Sequence, residues 1–200
     1  SQRWLKRDPA HLEHVVSSLD EIIREGRRAG EIIRGLQALT RNQASELAPA
    51  SLHVITRDII NLSRLELERR AVALELDLAA HSDAIMCQSV QIQQVLLNLA
   101  INAIEAMVHN KGSRTLKISS YNPSDALIRI EVADSGTGLS GEVIDKIFDS
   151  FYTTKPEGMG MGLTISHAII KRHGGILSAE NRPEGGSLFW FTLPLITQSD

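Results

Sequence analysis

The stretch Gln93–Met107, QQVLLNLAINAIEAM, decides the fold class that this sequence predicts, because it places two asparagines on one face of an apolar helix. Asn98 and Asn102 are four residues apart, so their side chains project from the same side. Asparagine has a low preference for helix interiors, and its amide oxygen is a suitable Mg²⁺ ligand when triphosphate oxygens and waters complete the octahedron. We predict a metal-chelating helix, with Glu105 one turn further on. The alternative is that the asparagines tether neighbouring loops.

A second element follows the apolar stretch LIRIEVAD, which ends at Asp134 and precedes Gly136 and Gly138. A carboxylate at a strand end can accept a hydrogen bond from the exocyclic amine of adenine. Guanine presents a carbonyl at that position, so the same carboxylate favours ATP over GTP. The glycines allow the backbone to approach the ring. Asp-Ser-Gly is also a common turn, and a plain turn is the alternative.

The third element is a glycine-rich loop in which Gly158, Gly160 and Gly162 lead into a helix. Glycines spaced by two give a mobile backbone whose N–H groups can surround phosphate, and the helix adds its positive N-terminal end. We expect Phe148 and Phe151 to anchor the start of the loop. The loop also contains three candidate phosphate-binding residues, Thr153, Thr154 and Lys155. Each element alone is weak, but together they predict one pocket that binds ATP with Mg²⁺.

Two other nucleotide-binding motifs fit poorly. Gly136, Gly138 and Gly141 form G-x-G-x-x-G after a strand, but the dinucleotide fingerprint also needs a parallel βαβ unit and an acidic residue about 20 residues later, at the end of a second strand. Here that region, residues 151–156, reads as a loop. The P-loop sequence G-x-x-x-x-G-K-[ST] does not occur in the chain, which excludes a P-loop.

Composition is that of an ordinary globular protein, with 42% apolar and 22% charged residues. The net charge of −3 argues against a general nucleic-acid surface. Cys87 is the single cysteine, so no internal disulfide can form. The sequence has no apolar run of about 18 residues and no signal peptide. We expect a cytoplasmic segment of a longer protein, one that absent segments could anchor to a membrane, with no direct membrane contact of its own.

Apolar spacing divides the chain into two parts. Residues 10–42 form a long amphipathic helical pattern, and we expect residues 1–45 to be part of a dimerising helical hairpin whose first helix is mostly missing. Residues 43–50 read as a linker, and residues 46–200 as a separate domain. Helical patterns cover 51–70, 89–108, 140–148 and 162–173, and strand patterns cover 72–78, 115–121, 126–133, 176–180 and 188–193. This order predicts an α+β, two-layer sandwich with helices on one face of a mainly antiparallel sheet.

In these residues the chain resembles the catalytic core of bacterial two-component sensor histidine kinases. That family belongs to the ATPase superfamily shared with type II topoisomerases, MutL and certain heat-shock chaperones. The resemblance covers residues 46–200 and implies the Bergerat fold. The matching segments are the N, G1, F, G2 and last glycine boxes, at Asn98–Met107, Asp134–Gly138, Phe148–Phe151, Gly158–Leu163 and Gly185–Phe189 respectively.

The resemblance also implies roles for individual residues. Asn102 would be the main Mg²⁺ ligand and Asp134 the reader of adenine, with Asn98 and Asn102 as catalytic residues. The implied nucleotide-binding set is Asn102, Glu105, Ala106, Asp134, Gly136, Gly138, Thr153, Thr154, Lys155, Gly158, Gly160, Met161, Gly162, Leu163 and Ser187.

Three positions depart from the family pattern. Ser150 stands where the F box usually has proline. None of the seven histidines is followed by the acidic residue and proline that mark the phosphoacceptor, so we expect that histidine upstream of Ser1. Members that hydrolyse ATP carry glutamate at the position of Asn98, and asparagine cannot take a proton from water.

The sequence therefore predicts a protein-histidine kinase core that binds Mg-ATP. In the intact homodimer the γ-phosphoryl would pass to a histidine and then to an aspartate on a response-regulator receiver domain. The alternatives are a nucleotide-regulated binding module or serine kinase of the anti-sigma type, which lacks a long dimerising hairpin, and a hydrolytic ATPase.

Overall fold

The computed structural model describes residues 17–19, 46–108, 110, 112–154 and 160–196. The chain divides into two units, Ser1–Gln43 and Ala44–Asp200. In the first unit residues 17–19 are helical. The rest of the predicted long helix, and the predicted dimerising hairpin, lie outside the described residues.

A five-stranded sheet forms the centre of the second unit. Its strands are β2 (Ala73–Leu78), β4 (Thr115–Ser124), β5 (Leu127–Asp134), β6 (Ile176–Asn181) and β7 (Ser187–Pro194). They lie in the order β2-β4-β5-β7-β6. The β2–β4 pair is parallel and the other pairs are antiparallel, as the prediction of a mainly antiparallel sheet requires.

The described residues of this unit also form four helices: α1 (Leu52–Arg69), α2 (Ser89–Ala106), α3 (Gly141–Lys146) and α4 (Gly162–Arg172). Alternate side chains on the central strands are buried with the helices in one core, and this group contains Leu116, Ile118, Ile130, Val132, Phe189 and Phe191. The intervening side chains, which point to the other face, stay partly exposed, and they include Lys117, Arg129, Glu131 and Trp190. The sheet is thus covered on one face, which is the predicted two-layer architecture.

The first turn of α1 is fixed by side chains from distant parts of the chain. Ser51 caps the helix by accepting a hydrogen bond from the amide of Val54 at 3.2 Å, and its hydroxyl also bonds the carboxylate of Asp83. Asp83 Oδ2 accepts from the amide of His53 at 3.1 Å and lies 3.5 Å from its Nδ1. His53 Nε2 lies 2.9 Å from Ser120 Oγ, so this turn is joined to β4.

Burial and hydrogen bonding change two pKa values in this turn. Burial lowers the pKa of His53 and outweighs the attraction of Asp83, which raises it. For Asp83, burial alone would raise the pKa, but the hydrogen bonds from the Ser51 hydroxyl and the His53 amide outweigh it and lower the pKa. The histidine is therefore held neutral and the aspartate ionised near neutral pH.

The linker prediction, which covered residues 43–50, is wrong for residues 48–50. Strand β1 (Ala48–Ser51) pairs antiparallel with β3 (Ala84–Cys87), which the sequence patterns also missed. Both strands are only four residues long, and Pro49 discourages a strand assignment. They pair with each other, and β3 also buries Ile85 and Cys87 in the core.

Strand β2 also differs from its prediction as a half-buried strand. Its apolar side chains Leu74 and Leu76 are 36% and 41% exposed, respectively. They share a face with Leu116 and Ile118 in the parallel register, but β2 is the edge strand. A period-two pattern identifies a strand without saying whether a helix covers it.

Candidate functional site

Asp134 lies at the end of β5 with only 1% of its surface exposed. Its Oδ1 accepts hydrogen bonds from the amide of Gly136 at 2.7 Å and from the amide of Ser187 at 3.3 Å. The Ser187 hydroxyl donates to Oδ2. Two carboxylate oxygens offer about four acceptor positions, so three donors leave capacity for one more. The predicted residues Asp134, Gly136 and Ser187 are thus brought together.

The loop after Asp134 packs directly against the end of α2. A side chain at Gly136 would place its Cβ 2.7 Å from the carbonyl oxygen of Ala106. Ser135 donates to the carbonyl of Ser113 at 2.9 Å, and its own carbonyl accepts from Asn110 Nδ2 at 2.6 Å. Contact with α2 therefore requires glycine at position 136, in addition to any approach of a ligand.

Asn98 connects α2 to the start of α4. Its Nδ2 donates to Ser166 Oγ at 3.0 Å, and the Ser166 hydroxyl donates in turn to the carbonyl of Gly162 at 3.0 Å. A Cβ at Gly162 would lie 2.6 Å from Asn98 Oδ1. Ser166 is 1% exposed. The amide of Asn98 is thus engaged with the first turn of α4.

Asn102 lies between these two contacts on the same face of α2. Asn98, Asn102 and Ala106 are spaced by four residues, so they follow one another along the helix. At 1.5 Å per residue, the eight residues between Asn98 and Ala106 span about 12 Å. Asn102 and Glu105 are half-buried. The predicted metal ligand therefore stands midway between the Asp134 loop and the start of α4.

The start of α4 is a suitable place for phosphate. Met161 occupies the N-cap position and makes no side-chain cap hydrogen bond. The first amides of a helix have no partner within the helix, and its N-terminal end carries a partial positive charge. Leu163 packs partly against the core, which fixes the helix in place.

The loop before α4 is closed at its base. A Cβ at Gly160 would lie 2.4 Å from the carbonyl oxygen of Tyr152, so the two ends of the loop touch. Thr164 Oγ1 donates to the carbonyl of Asp149 at 3.0 Å. Within the loop Thr153 and Thr154 are exposed. The predicted phosphate-binding residues Lys155 and Gly158 lie outside the described residues.

The expectation for the two phenylalanines holds for one of them. Phe148 packs against the core and its ring lies 5.4 Å from that of His167 on α4. Phe151 is 75% exposed, with a positive φ of 67°, so it does not anchor the loop. The backbone contact of its neighbour Tyr152 with Gly160 closes the base instead.

Sequence reasoning missed the contribution of the turn between β6 and β7. Asn181 exchanges two hydrogen bonds with the backbone of Leu139, at 2.7 and 2.6 Å, and Arg182 Nη1 donates to the carbonyl of Asp134 at 2.9 Å. Gly138 packs against Asn181, since a Cβ there would lie 2.9 Å from its Oδ1. The run Asn-Arg-Pro-Glu-Gly at residues 181–185 indicates only a turn, so the sequence carries no signal for this role.

At the described residues of this unit, metal binding would not rest on a cluster of His, Cys, Asp and Glu ligands. Among the described residues, no group of three or more His, Cys, Asp and Glu side chains is placed to hold a metal ion. A divalent cation at Asn102 would therefore take most of its ligands from phosphate and water, which suits Mg²⁺. None of the described helices is long and apolar enough to cross a membrane.

Comparison with known families matches residues 87–197 to the family described as histidine kinase-, DNA gyrase B-, and HSP90-like ATPase. The chain belongs to this family. The match covers the described site, from α2 to β7. The Bergerat fold implied by the sequence is thereby confirmed, together with the ATP-binding character of the domain.

Relatives with similar sequences are named as sensor proteins or sensor histidine kinases. The sensor protein FixL of Bradyrhizobium diazoefficiens is 39% identical over 180 residues, which is 90% of this chain and 35% of FixL. The sensor histidine kinase TmoS of Ectopseudomonas mendocina is 37% identical over 197 residues, covering 96% of this chain and 20% of TmoS. The chain thus spans about a third or less of the length of these relatives.

Solved structures agree with this placement. The catalytic domain of histidine kinase ThkA has a TM-score of 0.67 at 32% identity, and the match covers 74% of this chain and 95% of that domain. A structure of ThkA in complex with the response regulator protein TrrA has a TM-score of 0.76 at 27% identity, covering 96% of this chain and 55% of that one.

Proposed function

We propose that this chain is the Mg-ATP-binding catalytic core of a sensor histidine kinase. The observation that carries the proposal is the buried carboxylate of Asp134, which retains acceptor capacity while it is held by Gly136 and Ser187. Such a carboxylate selects an exocyclic amine, as in adenine, over a carbonyl. The start of α4 lies on the other side of Asn102, where the phosphates of the same nucleotide would reach it.

Asn102 would hold the magnesium ion. Its half-buried position midway along the face of α2 suits a ligand that supplies one amide oxygen while phosphate and water supply the others. When bound, the ion neutralises charge on the phosphates. The protein's own contribution is to position the nucleotide, with the α4 amides near the phosphates and Asp134 at the base.

The phosphoryl group would go to a histidine of the intact kinase and then to a response-regulator aspartate. The sequence identity to FixL and TmoS supports this route. The ThkA–TrrA complex is an example of a histidine kinase bound to a response regulator. Asn98 also favours transfer over hydrolysis, because an amide cannot act as general base for water. Dimerisation through residues 1–45 and a cytoplasmic location stay predictions.

The decisive test is calorimetric titration of the chain with Mg²⁺ and a non-hydrolysable ATP analogue, comparing Asp134→Asn with the unmodified protein. Replacing one oxygen by an amide removes a charged hydrogen bond, and we expect a loss of about 1.5–3 kcal/mol, or roughly ten- to a hundredfold in affinity. Thermal unfolding of each variant verifies that it is folded.

Asp77→Asn is the matched control, since Asp77 is exposed on β2 and its substitution removes the same charge. It should bind the analogue as the unmodified chain does. Equal affinity of Asp134→Asn and the unmodified chain would overturn the adenine assignment, and absence of binding by the unmodified chain would overturn the proposed function itself.

A further inference from the structure

The loop that follows Asp134 is held from outside by Asn181, the last residue of β6. Asn181 Oδ1 accepts a hydrogen bond from the amide of Leu139 at 2.7 Å, and Asn181 Nδ2 donates to the carbonyl of the same residue at 2.6 Å. One side chain thus satisfies both backbone groups of Leu139. These residues are 42 positions apart in the chain, so the bonds join two separate elements.

Other residues of the β6–β7 turn also contact the loop that follows Asp134. Arg182 Nη1 donates to the carbonyl of Asp134 at 2.9 Å. Gly186 lies so close that a Cβ there would be 2.0 Å from the same carbonyl oxygen. Ser187 bonds the Asp134 carboxylate. The turn therefore contacts the loop at both its start and its end.

Holding Leu139 has an energetic consequence for ligand binding. The loop contains Gly136 and Gly138, and glycine loses more conformational freedom on ordering than other residues. Gly138 has a φ of +74° and packs against the Asn181 amide. A loop that is already fixed before a ligand arrives avoids the entropy cost of ordering on binding, which increases affinity.

We propose that Asn181 is a positioning residue for adenine recognition, acting through Leu139 and Gly138 to keep the Asp134 carboxylate aimed at the base. This inference rests on the proposed function, because it assigns a part of the same nucleotide pocket. Asn181 itself need not touch the nucleotide. Its removal should therefore weaken discrimination between bases as well as affinity.

The chain contains a matched control for this role. The side-chain amide of Asn122 also bonds both backbone groups of one loop residue. It accepts from the amide of Ser82 at 3.1 Å and donates to the Ser82 carbonyl at 2.9 Å. Asn122 lies near the C-terminal end of β4. Asp134 pairs with Leu116, near the N-terminal end of the same strand. Asn122→Ala removes the same kind of contact away from the site.

The experiment measures binding of ATP and GTP by competition with a fluorescent ATP analogue, in the presence of Mg²⁺, for the unmodified chain and three variants. For Asn181→Ala we expect ATP affinity to fall roughly fivefold to thirtyfold, because binding must then order a loop that two hydrogen bonds no longer hold. GTP affinity should change less, so the ratio of ATP to GTP affinity falls. Asn122→Ala should keep the ratio and the ATP affinity.

The affinity ratio separates positioning from mere destabilisation, because a smaller folded fraction lowers both affinities equally. Asn181→Asp is the second variant at position 181. It keeps an acceptor for the Leu139 amide but places a carboxylate oxygen against the Leu139 carbonyl. It should shift the ratio in the same direction, and it supplies the readout if Asn181→Ala does not fold. An unchanged ratio in the folded variants would overturn the role of Asn181 and leave the proposed function standing. Failure of the unmodified chain to bind ATP would overturn both.

Discussion

Gly162 is the residue at which α2 and the N-terminal end of α4 meet. Any side chain there would meet the Asn98 amide, with a Cβ 2.6 Å from Oδ1 and 2.9 Å from Nδ2. Asn98 cannot simply turn away, since its Nδ2 is bonded to the buried Ser166. The glycine therefore serves a close approach of two helices.

Gly162→Ala should destabilise the fold by about 1–2 kcal/mol, because the strain of overpacking exceeds the gain of up to about 1 kcal/mol that alanine brings to a helix. Urea denaturation measures this change. It should also weaken binding of the ATP analogue, since α4 must shift to accommodate the methyl group.

Gly141→Ala provides the comparison. Gly141 is likewise the first residue of a helix, α3, but a Cβ there meets no atom within 4 Å. We expect its free energy of unfolding to stay constant or to rise by up to about 1 kcal/mol. If the two variants were equally stable, crowding by Asn98 would not be the reason for glycine at position 162.

Among the individual residues of the candidate site, some could be predicted from the sequence and others could not. Asp134 and Asn102 occur within recognisable local patterns, so their chemistry could be inferred from neighbours a few positions away. Asn181 and Ser166 could not be found in this way. Their partners Leu139 and Asn98 lie 42 and 68 positions distant, respectively, and only the folded chain brings each pair together.

Among the elements, α1 has a titratable group built into its first turn. The neutral His53 bridges Asp83 and Ser120, and burial lowers its pKa below the ordinary value of 6.5. The unfolded chain therefore takes up this proton at a higher pH than the folded chain does. By linkage, the contribution to stability is complete above the unfolded pKa and is lost as pH falls through the folded pKa.

Thermal unfolding at about pH 7.5 and about pH 5.5 tests this effect. The midpoint of the unmodified chain should fall more between these values than that of His53→Gln, which cannot be protonated. The Asp83 carboxyl, whose pKa is lowered from 3.8, titrates below this window and does not contribute. His81→Gln, at an exposed position, should retain the pH dependence of the unmodified chain. Identical pH dependence in His53→Gln would contradict the prediction.

Elements with a long apolar pattern were predicted well, and short or peripheral ones were not. The pattern at residues 89–108 corresponds to α2, Ser89–Ala106, because burial against the sheet enforces its period. The four-residue strands β1 and β3 have too few residues to show a period. Leu74 on β2 repeats with the period of a strand, yet its edge position leaves it exposed.

For the molecule as a whole, the sequence predicts ATP binding with little ATP hydrolysis. A general base contributes about 10²–10⁴-fold to rate, and position 98 supplies an amide in place of one. In addition, the Asn98 amide is bonded to Ser166. We expect phosphate release at least about a hundredfold slower than the ~10 s⁻¹ typical of enzymes.

A coupled assay for inorganic phosphate, run with the purified chain and Mg-ATP, gives this rate. Asp134→Asn serves as the background, since a contaminating ATPase would release phosphate at the same rate in both preparations. A rapid release that disappears in Asp134→Asn would favour the hydrolytic ATPase over the kinase core.

The position of β7 has a consequence for synthesis of the chain. β7 lies inside the sheet, between β5 and β6, and its first residue, Ser187, is 53 positions after Asp134. A ribosome adding about 5–20 residues per second needs roughly 3–10 s to cover that distance. During that interval β5 lacks one neighbour and Asp134 lacks its hydroxyl donor. We therefore expect the nascent chain to bind nucleotide only after β7 has emerged.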